Sequence, residues 1–251
     1  MMAMAADTAS LEQLSATCSH CSLRYLCLPH GLSADDVVRL ETLVDTGATI
    51  GTDRSLFEQG DAQQALYAIR DGSMKTVAVD EDGLEQILGF YFPGDLLGLD
   101  GFGNQRHQCT AIALEDSTVC RIPVERLGHL SDELPSLRHQ LMRLMGQALS
   151  DEERLLLTLG RKNAEGRIAS LLLTMRRRRQ LRGLPEGALP LPMKRIELAN
   201  FLSMRLETVS RVLTRLQRDG VIRVLPGAID ILDTAMLRTR AGQGAWAVDQ
   251  D

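Results

Sequence analysis

At 251 residues and 44% hydrophobic content, the chain is long enough for two modest domains with proper cores, and its composition excludes bulk disorder. No run of 18 apolar residues occurs, which excludes a membrane-crossing helix, and residues 1–17, acidic at Asp7 and Glu12, lack the basic-then-apolar order of a signal peptide; a cytoplasmic protein is expected. The net charge of −5 conceals a split: residues 1–159 hold 11 Lys and Arg against 24 Asp and Glu (−13), residues 160–251 hold 17 against 9 (+8), so one part is suited to a polyanion and the other is not.

In chain order, residues 1–17 read as a mobile tail, followed by a cysteine-rich stretch from Cys18 to Cys27 that Pro29 ends. Ser33 is placed to cap a short helix through Asp35, Val37, Leu40 and Leu43. From Ile50 to Pro123, short apolar runs alternate with turns at Gly60-Asp61, Asp71-Gly72, Asp82-Gly83 and Pro93-Gly94-Asp95. The runs are Leu66–Ile69, Met74–Val79, Gln86–Phe92, Thr110–Leu114 and Val119–Ile122, a spacing that predicts an antiparallel barrel or jelly roll.

A long helix is expected from Glu133 to Leu159, with apolar residues at steps of three and four from Leu134 and Leu137 onward. That whole stripe, running on through Leu141, Leu144, Met145, Leu149, Leu156 and Leu159, is a seam suited to pairing with a second copy, although a helix packed on its own barrel would show the same period. Glu152 falls on that seam. In a two-fold dimer it would face its twin or apolar groups at a cost, unless it simply solvates the surface. A further helix is expected from Asn163 to Arg182 and a loop over Gly183–Pro192.

Lys194 to Gly220 has the helix-turn-helix pattern. Leu198, Leu202, Met204, Val209 and Val212 occupy the positions that two crossing helices bury, and Ala199 is small where they approach. The second helix, beginning near Leu206, carries Glu207, Thr208, Ser210, Arg211, Thr214 and Arg215 on its polar face, as a major groove requires. Ser203 stands at the turn position where Gly is usual, a strained substitute if φ is positive there. Val221–Leu225, Pro226-Gly227 and Ile229–Leu232 read as a hairpin wing. The run Arg176–Arg179 could be a merely solvated stretch; setting it aside still leaves the segment at +4.

Five cysteines, an odd number, suit metal ligation better than a disulfide framework in a reducing compartment. Cys18, Cys21 and Cys27 are clustered, Cys120 lies on a barrel strand and Cys109 in a loop. Three near thiols and one distant one could supply the four thiolates of an iron–sulfur cluster. Structural zinc is the main competitor, though it usually takes two close pairs, and a dithiol oxidoreductase would want a βαβ pattern after Cys18-Ser19-His20-Cys21.

From Cys18 to about Leu232 the chain resembles the fumarate–nitrate reduction regulators of the CRP/FNR superfamily. The resemblance lies in Cys18-x2-Cys21-x5-Cys27-Leu28-Pro29, Leu66-Tyr67-Ala68-Ile69-Arg70, Glu85-Gln86-Ile87, Gly89-Phe90, Gly94-Asp95-Leu96 and Ala113-Leu114-Glu115. It continues in Val119-Cys120-Arg121-Ile122-Pro123, Leu141-Met142-Arg143-Leu144-Met145, Lys162-Asn163-Ala164-Glu165 and Leu206-Glu207-Thr208-Val209-Ser210-Arg211. The resemblance implies an oxygen-labile 4Fe–4S cluster on Cys18, Cys21, Cys27 and Cys120, with dimerisation and promoter binding when oxygen is scarce. It implies base reading by Glu207, Ser210 and Arg211 in a TTGAT-type inverted repeat of double-stranded DNA. Lys194, Arg195, Arg205, Thr208 and Arg215 are phosphate candidates. The loop Asp80, Glu81, Asp82, Gly83, Leu84 and Glu85 resembles the family's surface for RNA polymerase.

His20 and the extra thiol Cys109 depart from the pattern. In relatives that bind cyclic nucleotides a carboxylate holds the ribose, matched here by Asp95, and an Arg holds the phosphate. The Arg position falls on Gln108, so no cyclic nucleotide is expected. A haem-based nitric oxide sensor of the same superfamily is disfavoured by the retained cysteines. The expected organisation is α+β, a regulator and not an enzyme: residues 1–29 a tail and ligand segment, 30–130 an antiparallel jelly-roll sensor domain of the cyclic-nucleotide-binding type, 131–160 a dimerisation helix, and 161–251 a winged helix-turn-helix.

Overall fold

A computed structural model describes residues 18–181, 183 and 187–242. The tail expected over residues 1–17, and residues 184–186 of the expected loop, lie outside the described residues. The chain divides into two units, Met1–Met74 with Phe90–Met142 and Lys75–Gly89 with Arg143–Asp251.

The first unit opens with a 3-10 turn (Cys18–His20) and α1 (Ala34–Glu41). Ser33 caps α1 as expected, its hydroxyl accepting the Asp36 N–H. The strands between residues 45 and 123, of which β4 and β5 fall mostly in the second unit, are β1 (Asp45–Ile50), β2 (Ser55–Phe57), β3 (Ala65–Asp71), β4 (Met74–Val79), β5 (Glu85–Tyr91), β6 (Leu96–Leu97), β7 (Thr110–Ala113) and β8 (Ser117–Pro123). They form two four-stranded sheets, ordered β1-β8-β3-β6 and β2-β7-β4-β5, the two layers of a jelly roll. Inward residues of both layers meet in a core of Phe57, Ile69, Met74, Leu97, Cys109, Ala111, Ala113 and Val119. At the Asp71-Gly72 turn, Gly72 has φ +83 and a Cβ there would lie 2.7 Å from the Ser117 Cα, so both space and backbone require glycine.

Three strands escape periodicity. β1, Asp-Thr-Gly-Ala-Thr-Ile, is too polar to show an apolar run, and β2 and β6 are only three and two residues long. A helix α2 (Val124–Glu133) also follows β8, burying Leu127 and Leu130.

The long helix, α3 (Pro135–Arg161), begins on a proline, tolerated in a first turn whose N–H groups have no intrahelical partner. Its apolar stripe is not one surface. Leu134 and Leu137 are buried in the first unit, whereas Met145, Leu149 and Leu156 are 43%, 59% and 69% exposed. A period of 3.6 shows that a face is buried, not against what, and the expected single seam therefore shortens to its second half.

The second unit holds α4 (Ala164–Leu181), β9 (Leu189–Pro190), α5 (Arg195–Phe201), α6 (Leu206–Arg218), β10 (Ile222–Leu225), β11 (Ala228–Ile231) and α7 (Thr234–Ala241). β10 and β11 pair antiparallel, with Leu225 opposite Ala228 around Pro226-Gly227, and β9 adds a third strand to the wing. Ile168, Leu172, Leu198, Leu202, Val209, Leu213 and Leu216 are buried where α4, α5 and α6 cross. The β4–β5 hairpin belongs to this unit: Lys75 Nζ lies 2.5 Å from Glu197 Oε1, and the Asn200 side chain accepts the Ile87 N–H and donates to the Glu85 carbonyl. Among the described residues no helix is long and apolar enough to cross a membrane.

Candidate cysteine centre and nucleic-acid interface

Between Cys18 and Leu32 the backbone turns repeatedly on itself, with the Cys21 N–H donating to the Cys18 carbonyl, the Arg24 N–H to Cys21 and the His30 N–H to Cys27. Such coiling compresses the spacing of two and five residues into one side of a small loop. Cys120 enters from β8, where it pairs with Ala68 of β3. All four thiols line one cavity, closed by Leu28, Leu40, Val44, Ile69 and Ile122, with Arg24 and Arg70 at its edge.

The cavity is hostile to bare thiolates. Burial pushes the Cys18 thiol up to about 12, assisted by the charges of Cys120, Glu41 and Cys21. Burial likewise raises Cys27 to about 12, with Cys18, Cys120 and Cys21 adding to it. Cys120 is also raised by burial, against the pull of Arg70. Burial thus disfavours the thiolate at Cys18, Cys27 and Cys120 alike, and ionising them needs a cationic partner inside. Among the described residues no three His, Cys, Asp or Glu side chains converge on a single point as ligands of one ion would.

Cys109 is elsewhere. It sits in the loop just before β7, as expected, with its side chain buried in the jelly-roll core and its Sγ 3.6 Å from Asp100 Oδ2. Beside it His107 is buried and stacked on Phe57 at 3.7 Å. Gln108 turns outward, its Nε2 donating to Asn104 Oδ1 and the Arg106 carbonyl. Asp95 Oδ2 accepts the Phe92 N–H within its own turn.

In the second unit Ser203 has φ +51, so the turn position that usually takes glycine is left-handed here as well. Arg205 stands at the N-cap of α6. Val209, Val212, Leu213 and Leu216 bury one face of α6, while Glu207 and Arg211 are exposed and Thr208 and Ser210 half-buried on the other. The Arg211 Nη2 lies 3.5 Å from Thr208 Oγ1. Lys194 and Arg195 are exposed at the start of α5. Arg215, 59% exposed, lies 3.4 Å from Glu165 Oε2, so part of its charge is already answered. The run Arg176–Arg179 is not a free cationic patch: Arg178 pairs with Asp151 at 2.8 Å, and Arg176 donates to Thr234 Oγ1. The expected polymerase loop is an exposed turn at the end of the β4–β5 hairpin, where Asp80 Oδ1 accepts the Asp82 and Leu84 N–H groups.

Residues 49–133 match the family described as "Cyclic nucleotide-binding domain", and residues 166–240 match the "Crp-like helix-turn-helix domain". Over 230 residues the chain is 41% identical to the transcriptional activator protein FnrA of Stutzerimonas stutzeri, covering 92% of this chain and 94% of that protein. The chain belongs to the CRP/FNR family, among its FNR regulators. The fumarate nitrate reduction regulatory protein of Klebsiella oxytoca is 38% identical, with 90% of each chain covered. FixK2 from Bradyrhizobium japonicum shares the architecture at a TM-score of 0.73 and 27% identity, over 79% of this chain and 98% of that one. A CRP-family transcriptional regulator from Thermus thermophilus shares the fold at a TM-score of 0.63 and 21% identity, over 80% and 99% of the two chains. As an FNR-family protein the chain is a DNA-binding transcription regulator and not an enzyme.

Sequence reasoning overlooks several residues of these sites. Leu28, fully buried, walls the cysteine cavity. Gln140, a buried polar residue on α3, donates to the Cys27 carbonyl at 3.3 Å. The signal available is a glutamine interrupting the apolar period between Leu137 and Leu144. Arg70 stands in the sequence only as the end of an apolar motif, and nothing there marks it as a cation acting on Cys120.

Proposed function

We propose that this FNR-family chain is an oxygen-responsive regulator of anaerobic genes, carrying a 4Fe–4S cluster on Cys18, Cys21, Cys27 and Cys120. The observation that carries the reading is the convergence of these four thiols, and not Cys109, on one apolar cavity. The donor set fits the group: four thiols line one apolar cavity, as four-thiolate ligation of a cluster requires, and burial there raises Cys18, Cys27 and Cys120, so that cationic charge is needed to ionise them. When bound, the group would supply lability to oxygen. The chain's own part is to hold it with four thiolates while Leu28, Leu40 and Ile122 keep water out.

The DNA-facing half of the proposal assigns base reading to Glu207, Ser210 and Arg211, in a TTGAT-type inverted repeat, and phosphate contacts to Lys194, Arg195, Arg205, Thr208 and Arg215. Arg211 is exposed and free of an acidic partner within ion-pair distance among the described residues, which suits a bidentate contact to guanine. A homodimer through the exposed half of α3 would set two reading heads on the two half-sites. Asp80, Glu81, Asp82, Gly83, Leu84 and Glu85 would meet RNA polymerase in the cytoplasm. Cyclic nucleotide is not the proposed signal, because side chains fill the jelly-roll core and Gln108 offers no cation to a phosphate. Binding to an inverted-repeat operator, followed on one sample before and after admitting air, tests the whole. Loss of specific binding in air is expected, and unchanged binding would contradict the proposal.

The seam carries its own prediction. Met145, Leu149, Glu152 and Leu156 follow steps of four, three and four along α3, and Glu152 is exposed among apolar neighbours. Bringing two such acids together costs desolvation and repulsion, which leaves a dimer stable only with added help from the sensor. Glu152→Ala is expected to favour the dimer by about 1–3 kcal/mol and to permit operator binding in air. Sedimentation of wild type and variant in air, at matched concentration, checks this; two monomers that both ignore the operator would place the switch elsewhere.

A further inference from the structure

We infer that Arg167 is the positioning residue that fixes the reading head to the end of the dimer helix. Its guanidinium donates to four main-chain carbonyls on two sides: Leu159 (2.6 Å) and Lys162 (3.1 Å) where α3 ends, and Leu202 (2.8 Å) and Ser203 (3.2 Å) at the helix-turn-helix turn. Carbonyls in the last turn of a helix have no intrahelical partner, so the end of α3 and the end of α5 each present acceptors that must be satisfied from outside. One planar group with five N–H donors answers both ends at once.

The joint around it is tightly set. Lys162 Nζ donates to Ser170 Oγ at 2.6 Å, and Asn163 Oδ1 caps α4 by accepting the Gly166 N–H at 2.8 Å. Arg167 thus projects from a fixed first turn of α4 and reaches the left-handed Ser203, two residues before the N-cap of α6. What Arg167 sets is the angle at which α6 leaves α3.

For a two-headed reader that angle is what matches two heads to two half-sites about 34 Å apart. The inference rests on the dimeric, inverted-repeat reading proposed above. A head that is folded but loosely held still binds one half-site, whereas it forfeits the gain from engaging both. Neither lysine, whose three donors sit on one compact ammonium, nor glutamine, whose amide offers two donors from one nitrogen, has the wide planar fork that spans both sides.

The test uses the full chain, purified and assayed without air, as wild type, Arg167→Lys and Arg167→Gln, on duplexes carrying a full inverted repeat or one half-site. Wild type is expected to prefer the full site strongly. In both variants the full-site affinity should fall by about tenfold or more, toward the half-site value, while half-site affinity stays within about twofold. Variants that keep the wild-type preference overturn the inference. Loss of both affinities also overturns it, because Arg167 would then hold the fold of the head rather than its placement. A wild type that does not distinguish the two duplexes overturns the dimeric reading itself.

Discussion

Replacing any one of Cys18, Cys21, Cys27 or Cys120 by serine should strip iron and sulfide from anaerobically purified protein and remove specific DNA binding, whereas Cys109→Ser should leave both unchanged. The four-to-one division follows from where the side chains are. Cys18, Cys21, Cys27 and Cys120 line one cavity, and Cys109 lies in the jelly-roll core with Phe57, Ile69 and Met74. Serine keeps the size but has a hydroxyl too weakly acidic to replace a thiolate, so a four-thiolate site loses a ligand with each change. Cys109→Ser exchanges a buried thiol for a hydroxyl within reach of Asp100, at a modest cost in stability. Iron and sulfide analysis of the five variants decides it. A normal load in Cys120→Ser with loss in Cys109→Ser would overturn the ligand assignment.

Arg211→Ala should cost about 1–3 kcal/mol at the specific operator and relax the preference for the base it reads. Arg211 stands on the exposed face of α6, one turn from Glu207, with Val209 and Val212 anchoring the helix from behind. The informative contrast is Arg215→Ala. A phosphate contact carries no sequence information, so its loss should weaken all duplexes alike and lower the salt slope by about one. Because Arg215 lies near Glu165, its effect should be the smaller of the two. Titrations on operator and random duplexes at several salt concentrations separate the roles. Equal losses on both duplexes for Arg211→Ala would contradict base reading.

The parts of the molecule legible in its sequence are those in which side chains repeat on a face. α6 is readable because Val209, Val212, Leu213 and Leu216 keep the helical period, and the charge split points to the same segment. β4 and β5 are readable between turn residues; β1, β2 and β6 are not, being polar or too short to repeat. The cysteine spacing marks Cys18, Cys21 and Cys27 as a group. Nothing in spacing alone chooses Cys120 over Cys109, which the register of β8 against β3 and the packing of the core distinguish. The stripe on α3 reads as one seam along its whole length, because periodicity does not name the surface that covers a face. Arg167 is not legible at all: its partners are backbone carbonyls, which every residue carries. The arginine run misleads in the opposite sense, since a run of charge does not reveal that Asp151 and Thr234 already hold two of its members.

Whether the four cysteines that line one cavity hold an oxygen-labile cluster is decided by iron and acid-labile sulfide analysis of anaerobically purified protein, with its absorption spectrum taken before and after air. About four iron and four sulfide per chain are expected, with a brown colour that bleaches in air. A colourless, air-indifferent protein with one zinc and no sulfide, or a protein with a Soret band, would contradict it.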